Sequence, residues 1–305
     1  MMKNTNRSDW FYEAGFGLFV HWTTYSLPEK GEKKDYFRAV EDFDMDTFVG
    51  QVVDSGAKFL FFTTSHADMK LPFPLPELDA ILPGHTASRD LIGELADRLE
   101  PHSIRLMLYF NGEGSTTPEW QALTGFRTDP ATHAEYCYRV TEAISRKYGK
   151  KIHGWWIDCC YEPPICGGRG TRYDFKRYAD CLRAGNPDAL VTFNFRGTEE
   201  WGCEWGRNII DFQAGEENDI GPLPDGRFSG ESGAEWFALC WMDDYWVHEK
   251  EGVPTPRYDN ETVKSYIRDI RARGGVFAYN TAPYQEGHIS APAYAQLKWL
   301  GEQKD

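Results

Sequence analysis

The sequence predicts an α/β fold in which residues 1–305 form one catalytic (β/α)8 barrel of the TIM type. Short, almost continuously apolar runs alternate with amphipathic stretches along the chain, which is typical of parallel strands covered by helices. Eight such units occur, and no Gly-x-Gly-x-x-Gly follows the first strand. This favours a barrel over a doubly wound nucleotide-binding fold.

Each strand is an apolar run bounded by polar or turn-forming residues. The predicted strands lie at 16–22, 58–64, 104–110, 153–158, 189–194, 208–212, 236–241 and 275–280.

The helices are predicted from start and stop signals around amphipathic segments. Ser55-Gly56 closes the first helix, residues 87–90 cap the second, and Pro101 stops it. The predicted helices lie at 46–54, about 90–100, 130–148, 173–184, 260–273 and 291–303.

Composition limits the function classes. The chain has 33 Lys+Arg against 47 Asp+Glu, a net charge of −14, which argues against nucleic acid or an anionic membrane as a partner. No apolar run approaches the roughly 18–20 residues of a membrane span. The first residues carry no apolar signal core, so the default expectation is a cytoplasmic protein. Nothing in the sequence specifies an oligomeric state.

Seven cysteines in a long chain do not suggest a disulfide framework. Cys159, Cys160 and Cys166 lie close together, but the chain has no Cys-x-x-Cys and no His at zinc-ligand spacing. We therefore expect free thiols and no metal. Phe, Trp and Tyr make up 15% of the chain, and many stand near predicted strand ends. Aromatic faces stack on sugars, but aromatic side chains also fill cores. The aromatic content is therefore a weak indication of a carbohydrate enzyme.

Barrel active sites lie at the C-terminal ends of the strands. There the sequence places polar, aromatic and acidic side chains, which predicts an active site at this rim. They are His21-Trp22, Ser65-His66-Ala67-Asp68, Tyr109 to Glu113, Trp156-Ile157-Asp158, Asn194-Phe195-Arg196, Asp211 with Glu216-Glu217, and Asn280.

Glycoside hydrolysis uses two carboxyl groups that flank the anomeric carbon. Asp158 is the best candidate nucleophile, because it ends an apolar strand where a charge is costly unless it faces a site or a partner. Local sequence cannot rank the candidate acid/base residues, because loop geometry decides which of them reaches the leaving oxygen. These candidates are Glu113, Glu204, Glu216, Glu217 and Glu231.

Three basic side chains at the same rim could contact the sugar. His21 and His66 could hydrogen-bond hydroxyls while neutral, or could be structural. Arg196 could fork onto adjacent hydroxyls, could hold Asp158 ionised, or could form a structural ion pair.

Several segments, in order, resemble the retaining α-L-fucosidases, glycoside hydrolase family 29. The matches extend from about Trp10 to Leu300. Phe16 to Trp22 is similar to that family's Phe-Gly-Ile-Phe-x-His-Trp-Gly segment, and Trp156-Ile157-Asp158 is similar to its Trp-x-Asp. The other matching segments are Gly56-Ala57-Lys58-Phe59 with Thr64 to Asp68, Ser88-Arg89-Asp90-Leu91, Asp211 to Glu216, and Arg273 to Pro283 with Gly287-His288-Ile289.

The resemblance implies retention through a covalent glycosyl-aspartate at Asp158, with Glu216 first donating and then removing a proton. It implies a carbohydrate substrate and neither a metal nor an organic cofactor. Tyr109 joins the expected substrate-binding set because it lies at the end of the third strand. That set is His21, His66 and Arg196 on the ring hydroxyls, Trp22 and Trp156 lining the pocket, and Tyr109.

The chain also departs from the family pattern. Thr23 replaces a Gly, Ala67 replaces a His, and Met69-Lys70 replaces Gly-Phe; Glu235-Trp236 inverts the family's Trp-Glu. The β-sandwich that commonly follows the barrel is not expected within residues 1–305. These departures keep a related substrate open, such as an α-L-galactoside or an unusual fucosylated glycan.

Two other functions stay open. One is a non-catalytic sugar-binding barrel, and the other is a metal-assisted hydrolase built on His21, His66 and Asp68. The distance between Asp158 and a Glu carboxylate discriminates the first from an enzyme: retention needs about 5–5.5 Å and inversion roughly 6.5–9.5 Å. Activity that survives a chelator would remove the second.

Overall fold

The structure is a computed structural model that describes residues 6–66, 68–112, 118–158, 160, 173–194, 209–229, 233–243 and 245–303. Eight parallel strands form a curled sheet covered by helices, which confirms the predicted (β/α)8 barrel. The strands are β1 (Phe16–Val20), β2 (Phe59–Ser65), β3 (Arg105–Asn111), β4 (Gly154–Asp158), β5 (Leu190–Phe193), β6 (Glu216–Asn218), β7 (Phe237–Trp241) and β8 (Val276–Thr281).

All six predicted helices are present, and the described residues form four further α-helices outside the predicted set. Asp44, Asp90, Asp129, Asp174 and Asp259 each accept a backbone N–H at the start of a helix. Such caps satisfy donors that the first helical turn leaves unpaired. The helices are α1 (Asp9–Ala14), α2 (Tyr36–Asp42), α3 (Met45–Asp54), α4 (Pro76–Asp79), α5 (Leu91–Leu99), α6 (Pro118–Thr124), α7 (Pro130–Tyr148), α8 (Phe175–Leu182), α9 (Asn260–Ala272) and α10 (Ala291–Glu302).

None of the described helices combines the length and the apolarity that crossing a bilayer requires.

The strands pair in the order β5-β4-β3-β2-β1-β8-β7-β6. Leu18 of β1 lies opposite Leu60 of β2 on one side and Tyr279 of β8 on the other, so the first and last strands are neighbours. This pairing brings all strand ends of one polarity to the same rim.

The predicted sixth strand at 208–212 is wrong in its position. Phe212 forms only an isolated bridge with Glu235, and β6 begins four residues later at Glu216. Gly215 lies between them at φ 64°, where a Cβ would lie 2.2 Å from the Phe237 carbonyl oxygen. Only glycine tolerates this close approach and this backbone angle. The chain turns at Gly215, which separates the isolated bridge at Phe212 from the short strand β6.

The N-terminal end of the barrel is closed. The Asp211 N–H donates to the Val191 carbonyl at 2.8 Å, which links the β5 side to the segment before β6. Helix α1 inserts Phe11, which is 0% exposed, with ring centroids 4.8 Å from Phe59 and 4.9 Å from Phe212. Burying such a ring contributes roughly 1.5–3 kcal/mol, so Phe11 fills the barrel interior at this end with an aromatic side chain.

Candidate active site

Asp158, the last residue of β4, is half-buried at the C-terminal rim and accepts hydrogen bonds on both carboxylate oxygens. The Tyr109 hydroxyl donates to Oδ2 at 2.5 Å, and the Asn194 amide nitrogen donates to Oδ1 at 2.9 Å. Donors on both oxygens fix the plane of the carboxylate. The carboxylate group is therefore held in one orientation.

Glu216, the first residue of β6, is the second carboxylate of the site. The same Asn194 nitrogen donates to its Oε2 at 2.6 Å. Asp158 Oδ1 and Glu216 Oε2 are therefore at most 5.5 Å apart, the sum of the two hydrogen-bond lengths of 2.9 Å and 2.6 Å. This limit lies in the range of about 5–5.5 Å used for retention and below the roughly 6.5–9.5 Å used for inversion.

Glu217 has a different environment from Glu216. Its charge raises the pKa of the Cys240 thiol and of the Tyr266 hydroxyl, after the larger effect of burial. Cys240 and Tyr266 belong to the cluster of apolar side chains between the strands and the outer helices. Neighbouring residues of a strand point to opposite faces, so Glu216 is the member of the pair that meets Asp158.

His21 is buried just beyond β1, and its tautomer follows from its neighbours. The Asn280 amide nitrogen donates to the Trp246 carbonyl at 3.0 Å, so its oxygen accepts from His21 Nδ1–H at 2.7 Å. This leaves Nε2 as an acceptor. Burial lowers the pKa of His21 from 6.5 to about 3, with a smaller contribution from His66, so the ring is neutral at neutral pH.

His66 follows β2 and stacks on Tyr109, with ring centroids 6.1 Å apart. Its Nδ1 is buried without a hydrogen-bond partner in the described part of the chain. Burial lowers the pKa of His66, against the opposing charges of Asp158, Asp68 and Glu249. A buried, unpartnered ring nitrogen costs free energy that a bound hydroxyl would relieve.

Tyr109 connects these groups, and its ring is 0% exposed. Its centroid lies 4.8 Å from His21 and 5.5 Å from Trp156, which stacks on it at an interplanar angle of 18°. Trp156 is 2% exposed and donates its indole N–H to the Ala214 carbonyl at 2.9 Å. Trp156 therefore supports Tyr109 from within the barrel.

The expectation that Trp22 lines the sugar pocket is wrong. Its indole N–H donates to the Tyr284 and Gln285 carbonyls, and its ring packs on Phe43 at 5.0 Å in the outer hydrophobic layer. Side chains alternate between the two faces of a strand. Because His21 faces the barrel interior, Trp22 faces the helices.

Sequence reasoning missed two contributors. The sequence marks Asn194 only as the end of a strand, whereas its amide contacts both carboxylates. Trp246, in the loop after β7, has its ring centroid 5.2 Å from His21 and carries no local sequence signal. Arg196 lies outside the described residues, as do Ala67, Glu113, Glu204 and Glu231.

The proposed metal site on His21, His66 and Asp68 gains no geometric support. Over the described ranges, no group of three or more His, Cys, Asp or Glu side chains is arranged to hold a metal ion. His21 has one ring nitrogen engaged by Asn280.

A close carboxylate pair at the C-terminal rim of a parallel barrel defines the class of protein, a barrel glycoside hydrolase. The chain belongs to the alpha-L-fucosidase family: the family model described as alpha-L-fucosidase matches residues 34–303.

Relatives and solved structures agree with this family. The chain is 27% identical to tissue alpha-L-fucosidase of Bos taurus over 95% of its own length, and it spans 66% of that relative. The Homo sapiens protein is 22% identical over 95% of the chain and 67% of the relative.

The solved structures support the fold. The alpha-L-fucosidase isoenzyme 1 of Paenibacillus thiaminolyticus superposes with a TM-score of 0.71 at 20% identity, covering 97% of this chain and 74% of that one. An alpha-L-fucosidase from Lactobacillus casei, solved with its alpha-L-fucose product, gives 0.67 at 16% identity and 97% coverage of both chains.

Proposed function

We propose that this protein is an exo-acting glycosidase that hydrolyses α-L-fucosides with retention of configuration. One observation carries the proposal: a single amide nitrogen, Asn194 Nδ2, contacts both Asp158 and Glu216, which limits the gap between the contacted oxygens to 5.5 Å, the sum of 2.9 Å and 2.6 Å. A short gap suits direct attack by a carboxylate better than the wider separation that inversion uses to admit a water.

In the first step, an Asp158 oxygen forms a bond to the anomeric carbon while the bond from that carbon to the leaving oxygen breaks. Glu216 transfers its proton to the leaving oxygen, which departs as an alcohol. The product is a glycosyl-aspartate ester, and Glu216 is now ionised. The hydrogen bonds from Tyr109 and Asn194 hold the Asp158 carboxylate in the attacking orientation.

In the second step, ionised Glu216 takes a proton from water as the water oxygen attacks the anomeric carbon. The bond from that carbon to the Asp158 oxygen breaks, which restores the carboxylate and releases the sugar. Two displacements on opposite faces return the original configuration.

Neutral side chains around the pair supply the contacts to the sugar. His21 Nδ1–H donates to Asn280, so Nε2 is an acceptor. Nε2 would accept a hydrogen bond from a hydroxyl of the sugar ring. His66 Nδ1 lacks a hydrogen-bond partner in the described part of the chain, and it would form a hydrogen bond with a sugar hydroxyl. Arg196 remains a proposed hydroxyl ligand from the sequence pattern Asn194-Phe195-Arg196.

The family favours fucose over galactose as the sugar. An L-galactoside carries an additional hydroxyl at C6, where fucose has a methyl group. Rejecting an added hydroxyl through an apolar wall alone gives limited discrimination, so both substrates belong in the test.

The experiment measures nitrophenol release from nitrophenyl α-L-fucoside and α-L-galactoside by the wild type, Asp158→Ala, Glu216→Ala and, as a control, Trp22→Phe. We expect release by the wild type and the control, and a loss of about 10³-fold or more for Asp158→Ala. Azide should rescue Glu216→Ala to the α-fucosyl azide and Asp158→Ala to the β-fucosyl azide. An inactive wild type, or full activity in Asp158→Ala, would overturn the proposal.

A further inference from the structure

We infer that Asn194 is a positioning residue that determines which oxygen of Glu216 carries the catalytic proton. Its amide nitrogen holds Asp158 Oδ1 and Glu216 Oε2 as hydrogen-bond acceptors, at 2.9 Å and 2.6 Å. The proton of the neutral Glu216 is therefore directed to Oε1. This inference rests on the proposed function for its catalytic consequence, but its geometry can be tested without turnover.

The orientation of the amide follows from its two partners. An amide NH2 group has two hydrogens and accepts nothing, so it can satisfy two carboxylate oxygens at once. The opposite orientation would point the Asn194 carbonyl oxygen at both oxygens, which is repulsive unless both carry protons. In a neutral carboxylic acid the carbonyl oxygen is the better hydrogen-bond acceptor. Because Oε2 of Glu216 accepts from Asn194, the acidic proton is favoured on the other oxygen.

Asn194 is held rigidly between the two strands that carry the pair. It is buried, and its backbone N–H donates to the Ile157 carbonyl at 2.7 Å, which fixes it beside the residue preceding Asp158. The pairing of Phe193 with Ile157 sets the same register. In the described segments no backbone ladder joins β5 to β6, and at this rim the Asn194 side chain connects β4 to β6.

This arrangement suits every stage of the reaction. Before attack, the amide donates to Asp158 Oδ1 and to Glu216 Oε2, which favours the catalytic proton on Oε1 of Glu216. After attack, Asp158 becomes an ester whose remaining carbonyl oxygen still accepts hydrogen bonds, and Glu216 becomes an anion that still accepts through Oε2. A neutral donor shared by both groups therefore fits both charge distributions, whereas a carboxylate at position 194 would fit neither.

The kinetic test compares Asn194→Leu, which removes the donor at similar volume, with Asn194→Asp, which replaces it with an acceptor. Asn194→Ser is a smaller third variant in case Leu prevents folding. Asn186→Leu is the matched control, because Asn186 is also a buried asparagine but donates to the Ile152 carbonyl, away from the carboxylates. Each variant is assayed across pH with nitrophenyl and methyl α-L-fucoside.

We expect Asn194→Leu to lower kcat for the nitrophenyl substrate about 10²-fold while KM changes less than about threefold. The loss should be about tenfold larger for the methyl substrate, because its poor leaving group needs the proton. The acidic limb of the pH profile should move up by about one unit. Asn186→Leu should lower Tm and leave the shape of the profile unchanged. Equal losses for both substrates with an unmoved profile would overturn the inference.

A second measurement needs no substrate. Carboxyl carbons of selectively labelled Asp and Glu are titrated by 13C NMR in the wild type and Asn194→Leu, with Asp158→Asn and Glu216→Gln assigning the signals. We expect the titration midpoints of both groups to change in Asn194→Leu. Unchanged midpoints would overturn the inference. If the wild type cleaves no α-L-fucoside but the midpoints change, the proposed function fails while the role of Asn194 stands.

Discussion

Both ends of the barrel hold carboxylates, but their described donors differ. At the closed N-terminal end, Glu235 is 0% exposed and accepts from the Arg227 guanidinium at 2.6 Å and from the Ser8 hydroxyl at 2.6 Å. Asp211 there is paired with Arg183 at 2.6 Å. At the open rim, Asp158 accepts from the Tyr109 hydroxyl, and Asp158 and Glu216 share one neutral donor, the Asn194 amide nitrogen.

The difference teaches how one fold uses the same chemical group in two ways. An arginine compensates the charge of a buried carboxylate, which then holds elements together: Arg227 also binds Asp9 of α1 at 2.6 Å. The hydrogen bond with Glu235 and, to a smaller extent, the one with Asp9 raise the pKa of Arg227. The shared Asn194 amide instead fixes the orientation of two carboxylates at the rim, where a positive centre that develops in a transition state would meet them.

The largest effect is expected at the open rim. Asp158→Asn should lower kcat on a nitrophenyl α-L-fucoside about 10³-fold or more, because an amide cannot attack the anomeric carbon. The free energy of unfolding should change little, because the carboxylate serves chemistry rather than packing. Steady-state kinetics and urea unfolding of the same preparation measure both. A large fall in stability with retained turnover would reverse the roles assigned to the two ends.

At the closed end, Arg227→Leu should lower the free energy of unfolding by about 3–5 kcal/mol, because it leaves Glu235 buried without its cation. The matched control is Arg7→Leu. Arg7 pairs with Asp211 at 3.3 Å from a side chain that is 36% exposed, and Asp211 keeps Arg183. The control should cost at most about 1 kcal/mol. Equal costs for the two variants, measured by urea unfolding, would contradict the comparison.

His21 predicts a pH dependence of stability. Burial lowers its pKa from 6.5 to about 3, so below pH 6.5 the unfolded chain takes up a proton that the folded chain refuses. Stability from this group is complete above pH 6.5 and is lost as pH falls towards 3. At about 1.4 kcal/mol per pH unit, His21 accounts for about 2 kcal/mol between pH 6.5 and 5.

His21→Asn should remove this part of the pH dependence. Urea unfolding of the wild type and the variant at pH 7 and pH 5 measures the difference, and His133, another buried histidine, is present in both. Identical losses on acidification would show that His21 takes up its proton in the folded state.

The smallest effect is expected for Trp22→Phe, at about 1 kcal/mol for the lost hydrogen bonds to the Tyr284 and Gln285 carbonyls. KM should stay within about twofold, because the ring lies in the outer layer. Trp246→Phe is the converse control: beside His21, it should raise KM with little loss of stability. Thermal unfolding and KM are measured for both variants. A raised KM for Trp22→Phe would show that Trp22 lines the substrate pocket.

Much of this architecture is predictable from the sequence because it depends on local patterns. Apolar runs locate seven of the strands, and Asp158 and Glu216 are identifiable as candidates near strand ends. The two-residue period of a strand would also have assigned Trp22 to the outer layer once His21 was taken as inward-facing. His21 and Trp22 are adjacent in sequence but face opposite sides of the barrel wall, so they do not belong to one site.

Other features depend on contacts distant in sequence. The sixth strand is split by Gly215 because the Phe237 carbonyl approaches it, and nothing near Gly215 in the sequence encodes that approach. The role of Asn194 depends on two residues that are 36 and 22 positions away. Hydrogen bonds that connect three strands become visible only when the strands are placed together.

The most direct test of the central claim follows the anomer of free sugar by 1H NMR in the first minutes of nitrophenyl α-L-fucoside hydrolysis. Asp158 and Glu216, whose contacted oxygens lie at most 5.5 Å apart (the sum of 2.9 Å and 2.6 Å), predict α-L-fucose first, with the β-anomer appearing later by mutarotation. β-L-fucose as the first product would contradict the account, because it requires a water between Asp158 and Glu216.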